Sequence, residues 1–139
     1  DLIPDLSGAN VVEIADYQNE DIPGIVASFD IGVMPLHDGV WERGKCAMKA
    51  LVYMSGGKPV ICSSVGENNY LIKDGENGFL AGTSDEWVTA IKKLSTDPEL
   101  RQRIGLQGRK TVEREYSTQV CFDELNRQVL DELRLEKQG

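Results

Sequence analysis

Three cations fall within seven positions of one another in an otherwise acidic stretch: Arg43, Lys45 and Lys49. Residues 1–84 carry 12 acids and 5 bases, so most of the positive charge of that region gathers at one place. A small basic focus in an acidic surround suits a compact anion such as a diphosphate. Arginine can clamp phosphate oxygens with its two-pronged fork, whereas lysine acts as a point charge. Charge alone fits a solvated loop equally well, and Lys49 has the alternative of pairing with a nearby acid. The local backbone adds a second reason. Cys46 to Ser55 contains no Gly or Pro and mostly good helix formers, which predicts a helix there. The first amides of a helix have no acceptor within it and point outward, which makes an anion site. Here those amides belong to Lys45, Cys46 and Ala47, and Gly44 gives the preceding loop freedom to approach a ligand.

The surrounding elements must hold that helix start in place. Gly56-Gly57 predicts its end, since glycine tolerates the left-handed position that closes a helix. Pro59 to Cys62 reads as a buried strand, and Ile31 to Leu36, apolar almost throughout, reads as a central parallel strand. Further strands are predicted at Val11 to Ile14 and Phe79 to Ala81. Helices are predicted at 22–29 with Asp21 as N-cap, at 68–73, at 85–94 with Ser84 as cap, from Asp97-Pro98 to about Glu115, and from Ser117 to about Leu135. In the last of these Val120, Cys121, Leu125, Val129, Leu130 and Leu133 are the residues expected to be buried. Residues 37–44, 63–67 and 74–78 read as loops or turns. Strands alternating with helices predict an α/β chain with a doubly wound parallel sheet and a helical carboxyl-terminal tail over about 84–137. In such folds ligand loops lie at the carboxyl ends of strands, where 36–46 and 63–68 both fall.

Glu42-Arg43-Gly44-Lys45, Met48-Lys49, Tyr53-Met54 and Gly57-Lys58-Pro59-Val60 together resemble the donor-binding half of the group 1 (family 4) glycosyltransferases. The resemblance continues through Val65-Gly66-Glu67-Asn68 and Asp74-Gly75-Glu76-Asn77-Gly78-Phe79-Leu80, and so covers nearly the whole chain in order and spacing. It implies a fragment of the carboxyl-terminal, Rossmann-like domain of a GT-B enzyme, spanning residues 1–139. The reaction implied is transfer of a sugar from a nucleotide diphosphate donor to an acceptor hydroxyl, with retention and without a metal or other cofactor. Arg43, Gly44, Lys45, Cys46, Ala47 and Lys49 would then meet the donor diphosphate, with Gly66, Glu67 and Asn68 near sugar or ribose. Glu42 would take the catalytic position beside the sugar. The family's pair of glutamates, eight positions apart, falls on Gly44 and Val52 here. Val52 has no side-chain hydrogen-bonding group for a ribose, so Glu67 or Asn68 would have to supply one. The glycan or lipid-linked acceptor would bind an amino-terminal domain. The expected setting is polysaccharide or glycolipid assembly in the cytoplasm, with peripheral contact to the membrane's cytoplasmic face. The departures at Gly44 and Val52 keep open a catalytically inactive binding or assembly module, and an unrelated doubly wound domain for another phosphorylated ligand stands as a further alternative.

In the family's strand order two strands would lie between Val11–Ile14 and Ile31–Leu36. The expectation is that Val11–Ile14 moves in to pair with Ile31–Leu36, or that another chain covers that edge. A net charge of −8 argues against nucleic acid as a partner. Cys46, Cys62 and Cys121 are an odd number without metal-like spacing, which predicts free thiols in a reducing compartment. His37 stands alone in a loop, and no Ser-His-Asp set or Walker-type loop accompanies it.

Overall fold

The computed structural model describes residues 10–14 and 16–136. Three short parallel strands, β1 (Gly32–Met34), β2 (Val60–Ser63) and β3 (Phe79–Ala81), form one sheet in the order β1-β2-β3. Gly32 pairs with Val60 and Met34 with Cys62, while Ile61 pairs with Phe79 and Ser63 with Ala81. All four residues of β2 are buried, as a strand covered on both faces requires. Its side chains alternate between two cores. Val60 and Cys62 join Met34, Ala50, Met54 and Leu71 on one face; Ile61 joins Ala81, Ala90 and Leu94 on the other. Helices on both faces of a parallel sheet make the doubly wound α/β arrangement that the alternation of elements predicts.

The helices are α1 (Ile22–Ser28), α2 (Val40–Arg43), α3 (Met48–Ser55), α4 (Asn68–Leu71), α5 (Ser84–Thr96), α6 (Pro98–Thr111) and α7 (Thr118–Glu136). A five-residue π-turn, Val112–Tyr116, links the last two, and a 3₁₀ turn, Asn19–Asp21, precedes α1. α3 ends as its glycines predict. Gly57 has φ of 71°, its amide donates to Met54 O, and the Lys58 amide donates to Tyr53 O. α5 is capped by Thr83, with Ser84 as its first helical residue. Thr83 Oγ1 accepts the Glu86 amide, and the Glu86 carboxylate accepts the amides of Gly82 and Thr83. Those two amides hold the Glu86 carboxyl below the usual carboxylate range. Asp97 caps α6 by accepting the Leu100 amide at 2.9 Å. Asp21 sits at the N-cap of α1 but accepts the Gln18 amide there.

Four expectations are corrected. Asn10–Ile14 is not a strand, and Val12 is 81% exposed. A short segment such as Val11–Ile14, three apolar residues around Glu13, needs a neighbouring strand and a cover; among the described residues it has neither, and it does not pair with β1. β1 is shorter than the apolar run 31–36, because Pro35 offers no amide to continue the ladder. The loop 37–44 contains α2. The apolar stripe of α7 faces outward: Val120, Cys121, Leu125, Val129 and Leu130 are all exposed, as is Phe122, and Leu133 lies outside the residues whose side chains are described.

All three cysteines are free thiols. Burial pushes the Cys62 thiol up to about 12, against an ordinary 9.0. The unfolded chain therefore ionises this thiol first as pH rises, so its contribution is intact below about pH 9 and fades toward pH 12. Between pH 9 and 10.5 the wild type should lose roughly 2 kcal/mol more stability than Cys62→Val, at about 1.4 kcal/mol per unit. Denaturant melts at the two pH values check this; parallel loss in both proteins would show that Cys62 is not shielded.

Candidate functional site

The site is built where β1 and β2 finish. After Met34 the chain runs through Pro35 and Leu36, and the Leu36 amide donates to Ser63 Oγ at 2.7 Å. That bond ties the loop leaving β1 to the last residue of β2. Two clefts open on either side of the tie. One, of about 470 Å³, lies between Val33–Leu36 and the segment Gly44–Lys49 that leads into α3. The other, of about 680 Å³, is lined by His37, Asp38, Ser63, Ser64, Gly82 and Trp87 among others. Both lie at the carboxyl ends of the strands, the usual ligand side of such a sheet.

The entry to α3 differs from the expected one by two residues. The amide of Gly44 donates to Trp41 O and that of Lys45 to Glu42 O, closing the short helix α2. Lys45 therefore does not present a free amide. The first amide bonded back into α3 is that of Leu51, which donates to Ala47 O at 3.1 Å. Among the described residues, the amides of Cys46, Ala47, Met48 and Lys49 meet no acceptor. They line the smaller cleft, so the available donor set is 46–49 in place of 45–47.

Ala47 has φ of 54° and ψ of 24°, a left-handed conformation that costs a residue with a Cβ about 1–2 kcal/mol. Its methyl is 1% exposed and packs in the core with Met34 and Ala50, which offsets part of that cost. This conformation turns the chain from α2 into α3 within the segment Gly44–Lys49 that borders the cleft. No residue type in the sequence signals it, since glycine is the usual marker of such a turn.

The charged residues divide. Lys49 is exposed, lines the cleft and makes no ion pair with a described residue. Lys45 also lines it, with its ammonium 3.7 Å from Glu42 Oε1. The Arg43 guanidinium instead forks onto Asp38, with Nε and Nη2 at 2.7 and 3.1 Å from the two carboxylate oxygens. Each partner stabilises the other's charge, holding the Asp38 carboxyl below and the Arg43 pKa above its ordinary value, mainly through the hydrogen bond. Arg43 thus braces the loop from outside the smaller cleft. Glu42, expected as the catalytic carboxylate, is turned toward Lys45 and lines neither cleft.

Gly66, Glu67 and Asn68 form the neighbouring loop but line neither cleft. Gly66 has φ of 53°, and a methyl on it would come within 2.7 Å of Arg43 O. Only glycine fits that contact, which presses the second loop against α2. Asn68 is 1% exposed and donates to Ser63 O at 2.9 Å, so its side chain holds the loop from within. Glu67 is half-buried and faces Tyr116, whose hydroxyl is pushed up by burial first and by Glu67 and Glu115 next. Val52 lines a groove against Ile22 and Val26 of α1 rather than either cleft. Ser63 escaped the sequence reading; its place at the end of a buried strand was the available signal.

Comparison with known proteins gives a consistent picture. A family model described as glycosyl transferases group 1 matches residues 2–97. The capsular polysaccharide biosynthesis glycosyltransferase CapM of Staphylococcus aureus is 39% identical over 69 residues, covering 48% of this chain and 18% of that protein. The structure of the C-terminal domain of the group 1 glycosyl transferase LpcC from Francisella tularensis superposes with a TM-score of 0.62 at 27% identity, covering 78% of this chain and 53% of that one. Anabaena HepE, solved in complex with UDP and glucose, shares the fold with a TM-score of 0.64 at 24% identity, over 93% of this chain and 33% of that one. The match to CapM spans about a fifth of that relative's length.

Proposed function

This chain belongs to the glycosyl transferases group 1 family, and on that premise we propose that it binds the diphosphate of a nucleotide-sugar donor. The observation that carries the reading is the row of amides at Cys46–Lys49 that no described residue claims, in residues lining a cleft beside Lys49, which pairs with no described acid. Fixed amide dipoles and a nearby ammonium stabilise the charge that builds on a departing diphosphate, and they need no rearrangement as it departs. Lys49 supplies a point charge and Lys45 a second once it leaves Glu42. The transfer would go to an acceptor hydroxyl with retention, the acceptor being a glycan or lipid-linked sugar held by another part of a longer polypeptide. Polysaccharide assembly is the setting of CapM. UDP is the first nucleotide to try, because it is the one bound in HepE.

A second reading rests on Glu42 and Val52. One turns its carboxylate to Lys45, and the other faces α1, so neither cleft has a carboxylate from these positions. On that reading the domain is an inactive binding or assembly module. Titration with UDP, GDP and ADP separates the two, followed by the amide resonances of Cys46–Lys49. Donor binding predicts saturable shifts there with one of the three. No saturable shift with any of them favours the module.

A further inference from the structure

We propose that the polar cavity between α6 and the turn that feeds β3 is a separate anion site, built to take a phosphate group. The cavity measures about 360 Å³. One wall is a stripe on α6 and the π-turn: Arg103, Gln107, Lys110 and Arg114 are spaced by four, three and four residues, which puts them on one helical face. The opposite wall is Lys73, and the single acid on the lining is Glu76.

The floor is polar and fully occupied. Asn77 is 2% exposed; its Oδ1 accepts the Lys73 amide at 2.8 Å, and its Nδ2 donates to Leu71 O and to Thr111 Oγ1. Thr111 in turn donates to Gln107 O at 3.1 Å. This network fixes the backbone beneath Lys73 against the α6 stripe, so the two walls are held apart by packing rather than by charge.

The convergence of cations on one cavity is the telling feature. The sequence holds 23 acids against 15 bases, so an exposed cation has acids in excess to choose from. Arg43, Lys45, Arg109, Arg114 and Arg127 find acids, whereas Lys49, Lys58, Lys92, Lys93 and Arg101 pair with none among the described residues, so a missing partner alone singles out no site. Lys73, Arg103 and Lys110 converge on one concavity and make no ion pair with any described residue, Glu76 included. Three cations kept together and unneutralised in an acidic chain create a local positive potential, and a concave setting focuses it. A tetrahedral phosphate group suits both parts: Arg103 offers a two-pronged fork, the lysines offer point charges, and Gln107 offers an amide donor. The turn that carries Lys73 enters β3 at its amino end, so this cavity is not the cleft beside α3.

Inorganic pyrophosphate is the probe. Titrated into the chain at low salt, it should shift the amides of residues 73–77 and 103–114 saturably. The Arg103→Glu/Lys110→Glu pair should weaken that response at least tenfold while leaving any response at Cys46–Lys49 intact. Co-sedimentation with phosphatidylglycerol vesicles, using phosphatidylcholine vesicles as control, identifies the source of the phosphate. Charge-dependent pelleting lost in the same variant would assign the site to a lipid headgroup, and pyrophosphate shifts without pelleting to a free ligand. Silence with both probes, or a response that the paired variant leaves unchanged, overturns the proposal. Because both substitutions lie at the cavity rim, an unaltered melting curve would confirm that the fold is retained.

Discussion

Replacing Gly105 by alanine should destabilise the chain by about 2 kcal/mol or more, even though alanine is the better helix former by about 1 kcal/mol. Gly105 lies within α6, where a methyl would come within 2.0 Å of Gly57 O and 3.4 Å of Pro59 N. Both atoms are backbone at the entrance to β2, the central strand, so no side chain can swing aside. The helix would have to retreat from the sheet and open the core around Met54, or the turn after α3 would have to move. A fall in Tm of roughly 5–10 °C is expected for a chain of this size. Gly24 is the control. It lies in α1 with nothing within 4 Å of an added methyl, so Gly24→Ala should raise stability by about 0.5–1 kcal/mol. If Gly105→Ala melts at or above the wild-type temperature, α6 does not lie against the Gly57–Pro59 turn as the structure has it.

Lys49→Glu should weaken nucleotide diphosphate binding by about a hundredfold while making the fold slightly more stable. Lys49 is the second residue of α3, where a carboxylate complements the helix dipole and stabilises it by a few tenths of a kcal/mol. For an anionic ligand the exchange works the other way. A charge-assisted contact worth about 1.5–3 kcal/mol is lost and a repulsive carboxylate replaces it at the mouth of the cleft. Stability and affinity therefore move in opposite directions, which a merely structural lysine would not produce. Calorimetric titration with the best nucleotide, beside a denaturant melt, reads both. Undiminished affinity in a well-folded variant would remove Lys49 and the α3 entrance from the donor site.

Much of the frame was legible because it is written in local chemistry. Pro59–Cys62 is apolar without interruption and became the buried centre of the sheet. Gly56-Gly57 marked the end of α3, and Gly57 does adopt the left-handed conformation. The capping Thr83 was one position from the residue chosen, because Ser84 has the same chemistry and only the backbone decides between them. Other features depend on what surrounds a segment. Val11–Ile14 has strand-forming side chains, yet a strand exists only beside a partner. The spacing on α7 is that of a buried face, and spacing cannot say what covers it. At the candidate site the basic cluster was visible, but its division was not. Arg43 leaves the group because Asp38 comes within reach once α2 forms, and α2 itself hid in a segment with Gly at both ends. The left-handed Ala47 lacks any marker in composition.

The π-turn Val112–Tyr116 has one further effect. The π-turn winds wider than the α-helix before it, so it shifts the point at which the chain leaves α6. α7 makes its main contacts with that turn, and its bearing is inherited from five residues rather than from the sheet. Ser117, extended at φ −67° and ψ 150°, then breaks the helical path, so α7 starts on an axis of its own. The compass direction of the longest helix is thus set at one joint, separately from the side chains that it carries.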